Sequence, residues 1–254
     1  MSTAADHYDQ VLAPHYSWML GGDITALAAD QARLLADLGI TPSAEGATAI
    51  DLGCGPGNQT LALAALGFTR VLAVDSSGVL LDELAAHADE NPAIQPVHAD
   101  LRGVLRKIAE PASAAVIVCM GDTLTHLPDK ADVTVLLGDV ERALAGGGAL
   151  VITYRDLSRP LLGPDRFIPV RHSADQLLTC FLEYLDDDTV LVHDLLHTRS
   201  DGEWTQQVGS YPKLRLGAGW LADQCHAAGL GIRRDEVGPG GMRVLHAVKP
   251  KCDG

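Results

Sequence analysis

The sequence predicts an α/β fold built around a doubly wound parallel sheet. Between residues 47 and 154, short runs rich in valine, isoleucine and alanine alternate with alanine- and leucine-rich segments that have helical spacing. Strands that read as continuous apolar runs are buried on both faces, as in a parallel sheet with helices on either side. A chain of 254 residues, 47 % of them hydrophobic, can fill such a core.

An amphipathic helix precedes this core. Its apolar positions follow Asp23, a helix-capping residue, at three- and four-residue intervals as far as Leu38, and Gly39 ends it. The elements of the core then alternate along the chain. The predicted strands are residues 47–52, 70–74, 94–98, 114–119 and 149–154. The predicted helices are residues 58–66, 78–89, 101–109 and 131–145.

The pattern changes after Asp156. Strand-like segments joined by polar turn clusters follow, as in an antiparallel meander, at residues 177–185, 189–198 and 203–211. A helix over residues 218–228 comes next, and Gly229 ends it. Two further strands, joined by a Gly-Pro-Gly-Gly turn as a hairpin, are predicted at residues 232–237 and 243–248.

This organisation predicts one domain over residues 1–254. The N-terminal helices occupy residues 1–40, and the core takes residues 41–156 and 213–254. The meander, residues 157–212, is inserted after the fifth strand. No internal repeat or low-complexity linker separates these parts.

The composition limits the kinds of partner. The chain has 19 basic and 33 acidic residues and a formal net charge of −14, and an acidic field of this size repels nucleic-acid phosphates. No run approaches the roughly 18 apolar residues of a membrane-spanning helix, and the first residues lack the basic and apolar regions of a signal peptide. We therefore expect a cytoplasmic protein without nucleic-acid or membrane partners. The five cysteines contain no CxxC pair, so we expect neither a disulfide framework nor a metal site.

The most informative motif is a glycine loop at the end of the first predicted strand, Asp51-Leu52-Gly53-Cys54-Gly55-Pro56-Gly57. Alternate glycines allow a sharp turn with positive φ and let a ligand approach the backbone, and the helix that follows offers unpaired N–H groups. A dinucleotide-binding fingerprint would have its third glycine where Asn58 stands. A phosphate-binding loop would need Gly-Lys-Ser or Gly-Lys-Thr, which is absent.

In this loop the chain resembles the class I S-adenosylmethionine-dependent methyltransferases of the small-molecule type, whose loop reads acidic-x-Gly-x-Gly-x-Gly. The resemblance implies a Rossmann-like sheet of seven strands with the last one antiparallel, and S-adenosylmethionine as the cofactor. It also implies that Asp51 reaches the methionine amino group, directly or through water. The loop itself would pass beneath the methionine part of the cofactor at Gly53, Cys54, Gly55 and Gly57.

Two further acidic residues lie at the ends of predicted strands, where an open α/β sheet places its ligand. Asp75 closes the second strand beside Ser76, and its carboxylate can accept hydrogen bonds from both ribose hydroxyls. Asp100 follows the third strand, and the resemblance implies that it accepts a hydrogen bond from the adenine amino group while the N–H of Leu101 meets the ring. Each aspartate has an alternative role as the N-cap of the next helix. The three acidic sites together favour the cofactor.

The resemblance also assigns roles to residues after the fourth strand. The backbone of Cys119, Met120 and Gly121 would contact the methionine end, and the side chains that follow would face the substrate. DNA and protein-amide methyltransferases carry Asn-Pro-Pro-Tyr or a close variant at this place, and this chain has none. The absence agrees with the acidic charge and favours a small-molecule substrate.

The segment from Tyr8 to Met19 is similar to the lid that precedes the core in small-molecule members of the family. We expect Tyr16 in this segment to fold over the cofactor, or alternatively to pack against the core. The meander is expected to cover the substrate cavity.

Methyl transfer from a sulfonium is an in-line displacement, so positioning supplies much of the rate. A general base is needed only for a protonated or weakly nucleophilic acceptor. The candidate substrate-facing residues, each with the alternative of an ordinary polar residue at the edge of the core, are His126, Tyr154, Tyr211 and Arg215.

The segment His193-Asp194-Leu195-Leu196-His197 imitates a zinc-protease motif, but on a strand its histidines are about 13 Å apart, too far to bind one ion. We therefore predict transfer of a methyl group to a nitrogen or oxygen atom of a small molecule. Two alternatives stay open, a nicotinamide-dependent oxidoreductase and a non-catalytic protein that binds S-adenosylmethionine.

Overall fold

The computed structural model describes residues 7, 11–42 and 44–251. The N-terminal part begins with a 3-10 turn, Ala13–His15, and continues as helices α1, Tyr16–Leu20, and α2, Ile24–Asp37. The carboxylate of Asp23 accepts a hydrogen bond from the backbone N–H of Ala26 and so caps α2, as the sequence predicts. Tyr8 lies outside the described residues.

The remaining elements follow in two groups. The helices are α3, Asn58–Ala65, α4, Gly78–Ala88, α5, Leu105–Ile108, α6, Lys130–Ala143, and α7, Ala218–Ala227. The strands are β1, Thr48–Leu52, β2, Arg70–Asp75, β3, Ile94–His98, β4, Ala114–Cys119, β5, Leu144–Tyr154, β6, Phe167–His172, β7, Gln176–Tyr184, β8, Thr189–Ser200, β9, Glu203–Leu214, β10, Gly231–Val237, and β11, Arg243–Val248.

Seven of these strands form one sheet, in the order β3-β2-β1-β4-β5-β11-β10. The strands β1 to β5 pair in parallel, and β11 is antiparallel to both of its neighbours. The predicted Rossmann-like sheet with an antiparallel last strand is therefore confirmed. One face, which includes Ala49 and Val71, packs against α2 and α3. The opposite face, which includes Ile50 and Leu72, packs against α5, α6 and α7.

The predicted inserted meander is also confirmed as a second, antiparallel sheet with the order β6-β7-β8-β9, which we call the small sheet. The inner face of the small sheet buries Leu178, Val192, Leu196 and Tyr211 together with Leu12 of the N-terminal segment. Trp18 and Met19 pack against the same cluster. The N-terminal segment therefore lies against the small sheet as well as against the core.

The helix predicted over residues 101–109 is wrong in its first half. A carboxylate oxygen of Asp100 accepts a hydrogen bond from the backbone N–H of Arg102 at 2.8 Å, and Gly103 has a φ of +69°. The turn and the left-handed glycine delay the helix until Leu105. Among the described residues, no helix is long and apolar enough to cross a membrane.

Candidate active site

A cavity of about 250 Å³ opens at the carboxyl ends of β1, β2, β3 and β4, the edge at which an open α/β sheet binds its ligand. The cavity brings together most of the residues that the sequence singles out for the cofactor. The predicted residues in its lining are Tyr16, Gly53, Gly55, Asp75, Ser76, Asp100, Leu101, Gly121 and His126.

The glycine loop forms the floor of this cavity. Gly53, Gly55 and Gly57 all have positive φ, at +75°, +53° and +107°. A Cβ atom on Gly53 would lie 2.2 Å from Cγ2 of Thr123, and a Cβ atom on Gly57 would lie 2.4 Å from Cδ1 of Leu84. The backbone conformation favours glycine at both positions, and at Gly53 the β-branched side chain of Thr123 adds a steric reason.

Asp75 links the loop to the start of α4. One carboxylate oxygen accepts a hydrogen bond from the N–H of Gly55 at 2.8 Å, and the other accepts one from the N–H of Ser77 at 2.9 Å. Ser77 is the N-cap of α4, so the alternative role of Asp75 as that cap is wrong. Each carboxylate oxygen has more than one lone pair, which leaves Asp75 able to accept further hydrogen bonds from a ligand.

Asp51 lies within β1, directly behind the lining, and is 1 % exposed. Its Oδ2 accepts a hydrogen bond from the hydroxyl of Thr60 at 2.7 Å, and its Oδ1 has no hydrogen-bond partner among the described residues. Burial raises the pKa of Asp51 to about 7. A buried carboxylate oxygen without a donor fits a cationic group of a ligand.

Asp100 stands at the outer rim and pairs with Arg102 at 2.6 Å. Its side chain is 53 % exposed, and the hydrogen bond from Arg102 lowers its pKa. The next helix begins only at Leu105, so the alternative role of Asp100 as an N-cap is wrong. Its carboxylate faces the cavity in ionised form.

The N-terminal segment closes the cavity from above. The ring of Tyr16 lies over Gly55, where an added Cβ atom would be 3.4 Å from Cε1 of the tyrosine. Burial, followed by the carboxylates of Asp75 and Asp122, raises the pKa of Tyr16, so its hydroxyl stays protonated. The hydroxyl of Ser17 donates a hydrogen bond to Glu83 of α4, which joins α1 to the core.

The side of the cavity nearest the small sheet is formed by His126, at the end of the 3-10 helix Thr123–His126. Its ring stacks on Tyr211 of β9, with 5.4 Å between the ring centroids and 23° between the planes. Burial and the charge of Lys213 lower the pKa of His126 to about 3, so the imidazole is neutral. Tyr211 itself is 4 % exposed and lies behind His126, outside the cavity lining.

Other predicted residues lie away from the lining. Tyr154 is fully buried, and Arg215, 5 % exposed, donates hydrogen bonds to the backbone carbonyls of Leu157, Ser158 and Asp186. Because its guanidinium makes these three hydrogen bonds, Arg215 holds the chain after β5 against the turn between β7 and β8 and does not face the cavity. Four loop and strand residues support the site from behind the lining: Cys54, Gly57, Cys119 and Met120.

An ion pair beside the site has no signal in the sequence. Lys213 of β9 lies 2.6 Å from Asp122, which follows β4, and both side chains are nearly buried. Burial, the largest single influence, raises the pKa of Asp122, but the neighbouring charges, first that of Lys213, and the hydrogen bonds from Lys213 and the N–H of Arg155 together outweigh it, so that the pKa lies below its usual value. The two residues are 91 positions apart in the chain, and no local pattern connects them.

Residues 49–148 match the family model described as a methyltransferase domain. Over these residues the chain is similar to that family of domains. The matched region contains Asp51, the glycine loop, Asp75 and Asp100. The resemblance drawn from these motifs is therefore confirmed.

Two curated relatives match parts of the chain. A trans-aconitate 2-methyltransferase of Azoarcus sp. (strain BH72) is 35 % identical over 112 residues, which are 44 % of this chain and 40 % of the relative. A cypemycin N-terminal methyltransferase of Streptomyces sp. is 30 % identical over 155 residues, or 54 % of this chain and 60 % of the relative. The chain thus covers less than two thirds of the length of either relative.

Solved structures match nearly the whole chain at low identity. The CcbJ methyltransferase from Streptomyces caelestis aligns with a TM-score of 0.74 at 19 % identity, over 98 % of this chain and 96 % of its own. The S-adenosylmethionine-bound amino pentose methyltransferase CalS10 from Micromonospora echinaspora aligns with a TM-score of 0.68 at 18 % identity, over 94 % and 97 %. At these identities the matches establish the fold alone.

Proposed function

We propose that the protein is an enzyme that transfers the methyl group of S-adenosylmethionine to a nitrogen or oxygen atom of a small molecule. The observation that carries this proposal is the arrangement of three carboxylates, Asp51, Asp75 and Asp100, at the ends of three strands around one cavity in a methyltransferase domain. One of them has an oxygen without a donor, and two line the cavity.

The groups of S-adenosylmethionine find suitable partners among these residues. Asp51 has the unpaired, buried oxygen that suits the methionine ammonium group. Asp75 suits the two ribose hydroxyls, and Asp100 with the N–H of Leu101 suits the adenine ring. The positive φ angles of Gly53 and Gly55 give the sharp turn with which the loop backbone lines the cavity beside Tyr16 and Thr123.

When bound, S-adenosylmethionine would supply a methyl group on a sulfonium: the nucleophilic atom of the acceptor would bond to the methyl carbon in line with the carbon–sulfur bond that breaks, and S-adenosylhomocysteine would be the leaving group. The residues of this chain hold the reactants and exclude water. Tyr16 covers the glycine loop, and the neutral imidazole of His126 forms the wall of the cavity nearest the small sheet, against which the acceptor would lie. A histidine with so low a pKa is a weak base, so we propose that His126 orients the acceptor and does not remove its proton. Most of the rate enhancement would then come from holding the acceptor in line with the methyl group.

The relatives support either kind of acceptor atom. One is named for methylation of an N-terminus and one for trans-aconitate, a carboxylic acid, and CalS10 is named for an amino pentose. We therefore keep nitrogen and oxygen together in the proposal. The cytoplasmic location and the absence of a nucleic-acid partner stay predictions from the sequence.

Calorimetry of the purified protein with S-adenosylmethionine, S-adenosylhomocysteine and NAD tests the cofactor. We expect the first two to bind and NAD not to bind. Binding of NAD without S-adenosylmethionine would replace the proposal with the oxidoreductase alternative. Mass spectrometry of any ligand that copurifies gives an independent answer.

A methyl-transfer assay distinguishes an enzyme from a protein that only binds S-adenosylmethionine. Cofactor with a labelled methyl group is offered with a panel of amines, amino sugars, phenols and carboxylic acids, and products are separated by mass. The Asp75→Ala variant is the control for transfer that does not depend on the site. Transfer above that control to any acceptor excludes a protein that only binds the cofactor.

A further inference from the structure

One strand of the small sheet supports three separate parts of the molecule. Gly209, Tyr211 and Lys213 alternate along β9 and therefore share a face of the strand. Gly209 contacts His7 of the N-terminal segment. Tyr211 stacks on His126, and Lys213 pairs with Asp122 after β4. The inner face of β9 thus joins the N-terminal segment to the rim of the cavity.

His7 is held in this face by a built niche. Its Nε2 lies 2.8 Å from Oδ2 of Asp194, and both side chains are 2 % exposed. The second oxygen of Asp194 accepts a hydrogen bond from the thiol of Cys180 at 2.8 Å. Gly209 is the cross-strand partner of Asp194, and a Cβ atom there would lie only 2.4 Å from Cε1 of the His7 ring. The missing side chain of Gly209 makes the space that the imidazole fills.

The ring of His7 continues into a stack of three rings. Its centroid is 4.7 Å from that of Tyr211, with 29° between the planes, and Tyr211 stacks in turn on His126. Tyr211 is therefore packed between two imidazoles. His126 is the member of the stack that lines the cavity.

A buried histidine and aspartate are costly in an apolar cluster. Asp194 faces the same side of the small sheet as Val192 and Leu196, where well-packed apolar residues usually stabilise a fold at least as well as an ion pair. The pair instead fixes an orientation: its hydrogen bond sets the plane of the His7 ring and therefore how that ring stacks on Tyr211.

We propose that His7 is a positioning residue, which sets the ring of Tyr211 and through it the ring of His126 at the acceptor end of the cavity. The acceptor end is named from the proposed function, on which this part of the inference rests. The coupling between the three rings is a property of the protein alone and is measured without cofactor.

The test compares three variants of His7 by NMR of the His126 ring in cofactor-free protein, with the signals assigned through His126→Gln. His7→Leu fills the niche but removes both the ring and the hydrogen bond, and His7→Gln keeps a donor for Asp194 without a ring. We expect displaced and broadened His126 signals in both. His7→Phe keeps a ring but not the donor, and we expect a smaller displacement.

A substitution on the opposite side of the niche gives a second, independent approach. Gly209→Ala places a methyl group against the His7 ring and should displace the His126 signals in the same way. Its matched control is Gly138→Ala in α6, where an added Cβ atom meets nothing within 4 Å. Unchanged His126 signals in folded His7→Gln or Gly209→Ala protein would overturn the inference.

Cofactor affinity separates this role from general damage to the site. We expect the folded His7 variants to bind S-adenosylhomocysteine within threefold of the unaltered protein, because Asp75 and Asp100 are not touched. Asp75→Ala should show the opposite pattern: it should bind S-adenosylhomocysteine at least tenfold more weakly, while its His126 signals stay where they are in the unaltered protein. A tenfold loss of affinity in His7→Gln would contradict a role confined to the acceptor end.

Failure of the unaltered protein to bind S-adenosylhomocysteine would overturn the proposed function. The His126 signals would still show whether His7 positions the ring of His126.

Discussion

The ammonium group of Lys213 lies 2.6 Å from Oδ2 of Asp122, and this contact joins the small sheet to the loop after β4. Asp122 also accepts hydrogen bonds from the backbone N–H of Arg155 and the hydroxyl of Thr125. The pair therefore brings the ends of β4 and β5 and the strand β9 to one point beside His126. The inserted sheet is therefore fixed to the core beside the lining of the cavity.

Lys213→Met should destabilise the protein by about 3 to 5 kcal/mol, because it leaves the buried carboxylate of Asp122 without its counter-charge. Urea unfolding measures the loss. Lys130→Met is the matched control, since Lys130 pairs with the exposed Asp188 and such pairs contribute at most about 1 kcal/mol. Equal losses in the two variants would show that the burial of the Lys213 pair has no energetic consequence.

Asp75→Ala should weaken the binding of S-adenosylmethionine by an order of magnitude or more. The variant loses hydrogen-bond acceptors for the ribose and also frees the N–H groups of Gly55 and Ser77, and bonds to a charged group contribute roughly 1.5 to 3 kcal/mol each. Calorimetry is the measurement, with the exposed Asp82→Ala on α4 as the control. An affinity equal to that of the control would remove Asp75 from the cofactor site.

Asp51 should make the ligand-free protein less stable as the pH rises from about 4 to about 7. The pKa of Asp51 is raised by burial from 3.8 to about 7, so within this range the folded state holds a proton that the unfolded state has lost. Each unit of the difference corresponds to about 1.4 kcal/mol. Asp51→Asn removes the penalty, and we expect its melting temperature to exceed that of the unaltered protein more at pH 8 than at pH 5.

The exposed Asp37→Asn is the control for this measurement, and a pH-independent difference for Asp51→Asn would contradict the argument. Asp51→Asn should also bind S-adenosylmethionine more weakly than the unaltered protein does at pH 8, because the asparagine amide cannot neutralise the methionine ammonium group. Stability and binding are thus expected to change in opposite directions at one residue.

The sequence predicted the parts of the site that local patterns define. Asp75 and Asp100 stand at or just after the ends of strands that short segments of the sequence predict, and both line the cavity because parallel strands bring their carboxyl ends to one edge. The glycine loop was recognised because its spacing is set by backbone conformation within seven residues. Both are properties of short segments.

Contacts across the chain left no such pattern. His7 and Asp194 are 187 positions apart, and His7 is one histidine among ten. Only the register of the small sheet, which pairs Asp194 with Gly209, creates the niche for that ring. The burial of Tyr154, the last residue of β5, and of Arg215, which follows β9, was equally hidden, because both are residue types that are also common on the surface and only contacts across the chain bury them.

Gly53→Ala should be more damaging than Gly46→Ala, although both glycines have nearly the same positive φ, +75° and +79°. The backbone strain of alanine at such angles, about 1 to 2 kcal/mol, is common to both variants. An added Cβ atom meets nothing within 4 Å at Gly46 but lies 2.2 Å from Thr123 at Gly53. We expect a larger loss of stability in urea and weaker cofactor binding for Gly53→Ala only. Adding Thr123→Ala to Gly53→Ala should restore part of the stability and part of the cofactor affinity, because it removes the two side-chain atoms closest to the new Cβ atom. If the double variant is as unstable and binds as weakly as Gly53→Ala alone, the strained backbone of the loop, and not the contact with Thr123, causes both losses.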